Sequence, residues 1–344
     1  MDLMCRVLGR FAEGATQDDE PITDFEQLSQ NLNIARQSKL DKLFLKALGL
    51  QSNYVPLDGA ADVSKIVKKN ADILHITAKS SALLSSQNIP HVFFKGPIQQ
   101  KLLYGDFFAR PAHDADLLVS REDFKRACES LTRAGFVSPE QFSRLWWCEF
   151  LGERPFFFSS FASPPIDIHN RMQQPGAPAP RALERFFRGG HSIKLGPTDI
   201  PTLGLPMVVI VSAINIVKAI YHREPAGGHG LDIVTALKSM SEEEIELTRQ
   251  EARIQGMQNT VRFASRIAAV TFFAEDRFFR GALNLPIATH DMRAYLIDPS
   301  SVTGPFLKRR TMLAWLCDNI WLDFPIEAAR WVVSEGARVL AERK

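Results

Sequence analysis

Cysteine is scarce and unpatterned in this chain. Cys5, Cys128, Cys148 and Cys317 have no CxxC spacing and no nearby pair of histidines, which excludes a zinc ribbon and a disulfide framework and leaves buried thiols in a reducing compartment. Long apolar runs are missing as well. The longest, residues 205–217, is interrupted by Pro206, Ser212 and Asn215 and stops at Lys218; it is too short to span a bilayer and reads as a core helix, so no membrane is expected as a partner. Residues 1–20 hold no apolar core ahead of a small-residue cleavage site and turn acidic at Asp18, Asp19 and Glu20, so the expectation is a cytoplasmic protein rather than a secreted one. Nor does one sign of charge prevail. A formal net charge of +2 sets up no field that would gather a polyanion, which disfavours long nucleic acid as a partner and confines any phosphate site to a local cluster. Internal repeats and low-complexity tracts are absent too.

What is present is an ordinary globular balance, with 45% hydrophobic and 23% charged residues over 344 positions, enough for two domains or one domain with additions. Apolar residues recur at helical spacing over residues 25–48, with Gly49 as the stop, and again from Val63 to Thr77 in a helix that ends before Pro90. After Pro90 the texture changes to short runs of β-formers separated by helical patterns. Residues 91–94, 114–119, 156–158 and 166–168 read as strands, and 98–104 and 121–134 as helices. The Pro- and Gly-rich stretches 164–180 and 189–206 read as loops. From there the period is helical again, over 208–221, 231–240, 241–256, 261–273, 308–322 and 326–340. The expected architecture is α+β: an N-terminal helical segment (1–89), a mixed core (90–200) and a C-terminal helical domain (201–344).

Three acids stand out. On a strand, alternate side chains share a face, so Asp114 and Asp116 point the same way while Ala115 and Leu117 point the other. Two carboxylates in one small volume repel, and a fold that buries them needs a cation or strong donors. Hard oxygen ligands suit Mg2+ or Mn2+. Asp167, between Ile166 and Ile168, offers a third carboxylate on a neighbouring strand, and His169 two residues on faces the same side. Three such acids can hold two metal ions, the arrangement that clamps the attacking and leaving oxygens of a displacement at phosphorus. The turn Lys95-Gly96 ahead of a helix offers a phosphate cradle, and Lys95 or Arg110 could neutralise phosphate charge. Trp146, Trp147, Phe150 and residues 156–158 could stack on a base, although core packing explains them more simply.

The run Phe94-Lys95-Gly96, Leu103-Tyr104-Gly105-Asp106, Arg110-Pro111 and Asp114-Ala115-Asp116-Leu117-Leu118-Val119, with Ile166-Asp167-Ile168-His169 later, resembles a poorly characterised nucleotidyltransferase family of the polymerase-beta-like superfamily. The resemblance is closest over residues 90–170 and looser to about residue 275. It implies a nucleotidyltransferase core in which Asp114, Asp116 and Asp167 bind the metals and act in catalysis, and in which Lys95, Gly96, Arg110 and His169 line the nucleotide site. Lys218 and Asp232 are carried over as nucleotide or acceptor contacts. One departure is Pro97, where the superfamily's turn usually continues Gly-Ser or Gly-Gly. The implied activity moves a nucleoside monophosphate from an NTP to a hydroxyl of a small-molecule, peptide or protein acceptor. The alternatives are a non-catalytic nucleotide-binding or scaffolding protein, and a transferase with a nucleotide-sugar donor.

Overall fold

The computed structural model describes residues 2–12, 25–49, 57–144, 146–159, 162–278, 287, 289–304 and 307–342; the acidic run at 18–20 lies outside them. In chain order the elements are helices α1 (Asp2–Ala12), α2 (Phe25–Gln37), α3 (Asp41–Ala47) and α4 (Leu57–Ser86), strand β1 (His91–Phe94), helix α5 (Gly96–Tyr104), strand β2 (Ala115–Val119) and helix α6 (Phe124–Arg133). Strands β3 (Phe136–Val137), β4 (Glu153–Phe158), β5 (Pro165–His169), β6 (Ser192–Leu195) and β7 (Thr198–Pro201) follow. Helices α7 (Leu205–His222), α8 (Gly227–Ser239), α9 (Glu242–Ile254), α10 (Gln258–Phe272), α11 (Thr289–Ile297), α12 (Arg309–Leu316) and α13 (Asp323–Glu342) complete the α+β fold.

Two compact units are interleaved along the sequence. One takes Met1–Lys65, Val208–Arg253 and Met257–Leu316, and is helical; the other takes Ile66–Met207, Ile254–Gly256 and Cys317–Lys344, and holds the strands. In the helical unit α7 is apolar on all sides and Val209, Ile210, Ile216 and Ile220 are fully buried, as expected of a core helix. It is the one helix among the described residues long and apolar enough to cross a membrane.

The second unit is built on a five-stranded sheet in the order β1-β2-β5-β4-β3, in which β2 and β5 run parallel and the other pairs antiparallel. Its core lies on one face. Phe93, Leu117, Ile166, Ile168 and Phe156 pack there with Ile73 and Ile76 of α4 and Ala127 and Leu131 of α6. The pattern on α6 shows why it docks: Phe124, Ala127, Cys128 and Leu131, spaced i, i+3, i+4 and i+7, are all buried. Residues that oppose one another on paired strands share a face, so the register sets the composition of the opposite face. Phe94 opposes Asp116, Asp116 opposes Asp167, and His169 opposes Glu153.

Several expectations are corrected. Residues 189–206 are not all loop: β6 and β7 form a hairpin around Gly196, where Ile193 and Leu195 alternate with Ser192 and Lys194 between flanks rich in Gly and Pro. The helical spacing over 25–48 is divided into α2 and α3 at Lys39, which takes a positive φ of 57°. Strand β2 begins at Ala115, so Asp114 stands just ahead of it. Cys5, Cys128 and Cys317 are buried, as expected of core thiols, whereas Cys148 is half-buried.

The loop that delivers Asp114 is held by one buried side chain. Asn70 of α4 is fully buried; its Nδ2 donates to the carbonyls of Phe107 at 3.0 Å and Arg110 at 2.9 Å, and its Oδ1 accepts from the Ala112 amide at 3.0 Å. With each bond worth about 1 kcal/mol net, Asn70→Ala is expected to lower unfolding stability by about 3 kcal/mol. Denaturant unfolding measures this, and a loss below about 1 kcal/mol would mean that the loop holds itself.

Candidate functional site

The site starts at the end of β1. Lys95 has φ 66° and Gly96 φ 56°, two left-handed residues in succession that turn the chain from strand into α5. At Lys95 that conformation costs on the order of 1 kcal/mol or more, and it is held because Gln99 takes the Lys95 amide on its Oε1 at 3.1 Å while donating its own amide to the Lys95 carbonyl at 3.2 Å. Gly96 is required twice over, by its φ and because a Cβ there would come within 3.3 Å of the Asp114 carbonyl oxygen. The turn aims the Lys95 side chain at β2, and its Nζ donates to Asp116 Oδ1 at 3.0 Å.

Asp116 is the hub. The same Oδ1 accepts from His169 Nε2 at 3.0 Å, so a strand-end lysine and a histidine from β5 converge on one buried oxygen. Burial disfavours charge on Asp116, but Lys95 and the hydrogen bond from His169 outweigh it and hold this carboxyl well below the usual carboxylate range. Burial likewise works against charge on Lys95 and His169; the Asp116 carboxylate outweighs it at both, with help from Asp114 at Lys95 and from Glu153 at His169, and both pKa values rise. Phe94 closes this corner, its ring set edge-on against His169 at 5.4 Å between centroids.

Asp167 lies one strand over in the opposite condition. Its pKa is pushed up to about 7, first by burial and then by the Asp116, Glu153 and Asp114 carboxylates, which outweigh the pull of His169. Its Oδ1 is buried and has no hydrogen-bond partner. A buried acceptor surrounded by like charge is costly as it stands and is well matched to a cation.

Glu153 completes the group, and the sequence reading passed over it. Each of Glu153, Asp167 and His169 puts one potential ligand atom within 4.8 Å of the other two, and His169 Nδ1 lies 3.8 Å from Glu153 Oε2. The residue before Glu153 explains its placement. Gly152 has φ 65°, its carbonyl accepts from the Asn170 amide at 2.8 Å, and a Cβ on it would come within 2.3 Å of Asn170 Oδ1; only glycine lets the start of β4 lie this close to the end of β5. The signal available in sequence is faint: Glu153 alternates with the buried Phe156 and sits beside Arg154-Pro155, a context that obscures a strand.

The structure thus brings Lys95, Asp116, Asp167 and His169 together, with Asp114 close enough to act on the charge of Lys95 and Asp167. Arg110 lies with its guanidinium 5.7 Å from the Tyr104 ring, its amide bonded to Gln100 Oε1 at 2.8 Å. Lys218 and Asp232 belong to the helical unit, where Asp232 is fully buried and His229 Nδ1 lies 3.9 Å from its carboxylate. Of the aromatics, Phe156 is core, and Trp146 donates its Nε1–H to Ser334 Oγ at 3.3 Å.

No curated protein matches the sequence. A family model described as an uncharacterised nucleotidyltransferase matches residues 26–273, a span that takes in every side chain of the carboxylate face and most of the chain. This chain belongs to that nucleotidyltransferase family.

Proposed function

We propose that the carboxylate face transfers a nucleoside monophosphate from an NTP to a hydroxyl of a small-molecule, peptide or protein acceptor. The observation that carries this reading is the convergence of Lys95, Asp116, Asp167 and His169 on one sheet face, within a chain of a nucleotidyltransferase family. The acceptor oxygen attacks the α-phosphorus, the bond from that phosphorus to the bridging oxygen breaks, and pyrophosphate leaves. Asp167 takes the hydroxyl proton; a carboxyl whose pKa lies near 7 is suited to such exchange at neutral pH. Lys95 meets triphosphate charge at the start of α5. Asp114, Asp116 and Asp167 would hold Mg2+ or Mn2+, and the unpartnered Asp167 oxygen fits that role. Such an ion would supply charge neutralisation and orientation of the phosphate oxygens.

A second reading, nucleotide binding without transfer, has one observation in its favour. Pro97 lacks an amide and Gln99 occupies the amide of Lys95, so the turn offers fewer donors to a triphosphate than a bare glycine turn. Calorimetry with NTP and Mg2+, followed by a pyrophosphate-release assay, separates the two: binding with no release supports the second reading.

Two outcomes are expected. Asp114→Asn and Asp116→Asn each lower Mg2+-dependent pyrophosphate release on the order of 100-fold or more; variants that retain wild-type turnover would sink the mechanism. The other concerns pH. The folded-state value of Asp167, about 7, lies above its free value of 3.8, so its contribution to stability is complete at low pH and is lost as pH rises from about 4 to about 7. An ion that pairs with the ionised carboxylate restores that loss. The rise in melting temperature on adding Mn2+ is therefore expected to be larger at about pH 8 than at about pH 6, with the difference smaller in Asp167→Asn; a difference unchanged in Asp167→Asn would show that Asp167 is not a ligand.

A further inference from the structure

We propose that Glu153, Asp167 and His169 form a resident site for a first-row transition ion, selected over Mg2+ by the His169 nitrogen, and that Asp116 serves this site as the residue that positions His169. The proposal rests on reading the carboxylate face as the ion site of the transferase, and adds which ion the nucleotide-free protein holds and by which atoms.

The tautomer of His169 is the first step. Its Nε2 lies 3.0 Å from Asp116 Oδ1, the oxygen that also accepts from Lys95 Nζ, so Nε2 is the ring nitrogen that donates and Nδ1 is the one that can hold a metal, on release of any proton it carries. Nδ1 faces Glu153 Oε2 at 3.8 Å, too far for a hydrogen bond. Around an ion with bonds of about 2.1 Å, neighbouring ligand atoms stand about 3 Å apart and opposed ones about 4 Å. Each of the three residues offers a ligand atom within 4.8 Å of the others, and the Nδ1–Oε2 separation of 3.8 Å lies between the adjacent and the opposed spacing. Asp167 adds an oxygen that is buried and has no other partner.

The outer partners match a ligating histidine. A metal-bound imidazole characteristically donates its other N–H to a carboxylate, which fixes the ring and raises its basicity. Here Asp116 is that carboxylate, and Lys95 Nζ holds the same oxygen at 3.0 Å. The ring is further set by Phe94, edge-on at 5.4 Å. One nitrogen with two carboxylates is a set that Mg2+, which prefers oxygen and retains its waters, uses poorly, whereas first-row transition ions take imidazole readily.

The test uses the full-length protein stripped of metal, without nucleotide, and Mn2+ as probe. Calorimetric titration is expected to show Mn2+ binding at least about tenfold more tightly than Mg2+, and electron spin-echo modulation of the bound Mn2+ is expected to show coupling to one imidazole nitrogen. His169→Gln removes that coupling and lowers Mn2+ affinity by about 10- to 100-fold. Glu153→Gln, which leaves the Lys95–Asp116–His169 chain untouched, weakens Mn2+ binding but keeps the coupling. Equal affinity for the two ions, or bound Mn2+ without nitrogen coupling in the wild-type protein, overturns the proposal, and neither result depends on a variant folding. Because nothing here reads turnover, the two readings fail separately: nitrogen-coupled Mn2+ in a protein that releases no pyrophosphate sinks the transfer reaction alone, and Mg2+-driven turnover with no nitrogen coupling sinks this site alone.

Discussion

The single oxygen Asp116 Oδ1, shared by Lys95 and His169, is the constraint on which the rest of the site depends. Asp116 is only 6% exposed, and an isolated carboxylate so placed would neutralise or unfold its surroundings. Two donors at 3.0 Å let it stay ionised. They also tie three elements to one point, because Lys95 follows β1, Asp116 lies within β2 and His169 ends β5. The left-handed backbone at Lys95 is part of the same arrangement: the strain is held by Gln99 on the main chain and by Asp116 on the side chain. Removing one partner of such a buried pair typically costs about 3–5 kcal/mol, since the other charge is left without compensation.

From that constraint follows the split between two carboxylates that face each other across β2 and β5. Asp116 and Asp167 are register partners, yet the more deeply buried Asp116 is held well below the carboxylate range and the half-buried Asp167 is raised to about 7. The difference is ownership of donors. Asp116 holds both Lys95 and the Nε2 hydrogen of His169, so Asp167 is left with burial and with the fields of Asp116, Glu153 and Asp114. Pairs of acids whose environments drive their pKa values apart are how one site separates a permanent anion from an exchangeable proton. The ionised Asp116 here is the one that holds the Lys95 and His169 donors, while Asp167 is the one that exchanges a proton near neutral pH.

How much of this was legible in the sequence depended on distance along the chain. Strand alternation put Asp167 with His169, because a period of two is a local property, whereas the same rule does not reach Asp114, which stands just ahead of β2. The α6 stripe and the all-apolar α7 were legible for the same reason. What joins β2 to β5 is a pairing across some fifty residues, and no local pattern encodes it; only the short apolar setting of Asp167 and the family resemblance suggested it. Glu153 was out of reach because its role is created by register with His169 and by Gly152, which permits the close approach of β4. Asn70 lies in the helical stripe of α4, where its spacing says nothing of the loop ahead of β2 that it carries. The β6–β7 hairpin was obscured by its own punctuation, since glycine and proline mark hairpin turns as readily as loops.

Pro97 looks like a defect in a phosphate turn, but the surrounding bonds give it a consistent place. In a glycine turn that feeds a helix, anion recognition rests on the first free amides. Here Pro97 removes one and Gln99 engages that of Lys95, so the backbone is committed to holding the turn and the positive charge has moved to a side chain. In the proposed reaction Lys95 then has two anions to serve, Asp116 and the triphosphate, and one ammonium cannot fully neutralise both. A cation beside Asp116 would share that load with Lys95 and His169, the two donors its Oδ1 already holds. With its backbone committed to Gln99, this turn meets negative charge through one side chain that Asp116 already engages, a constraint that a turn built on free amides does not carry.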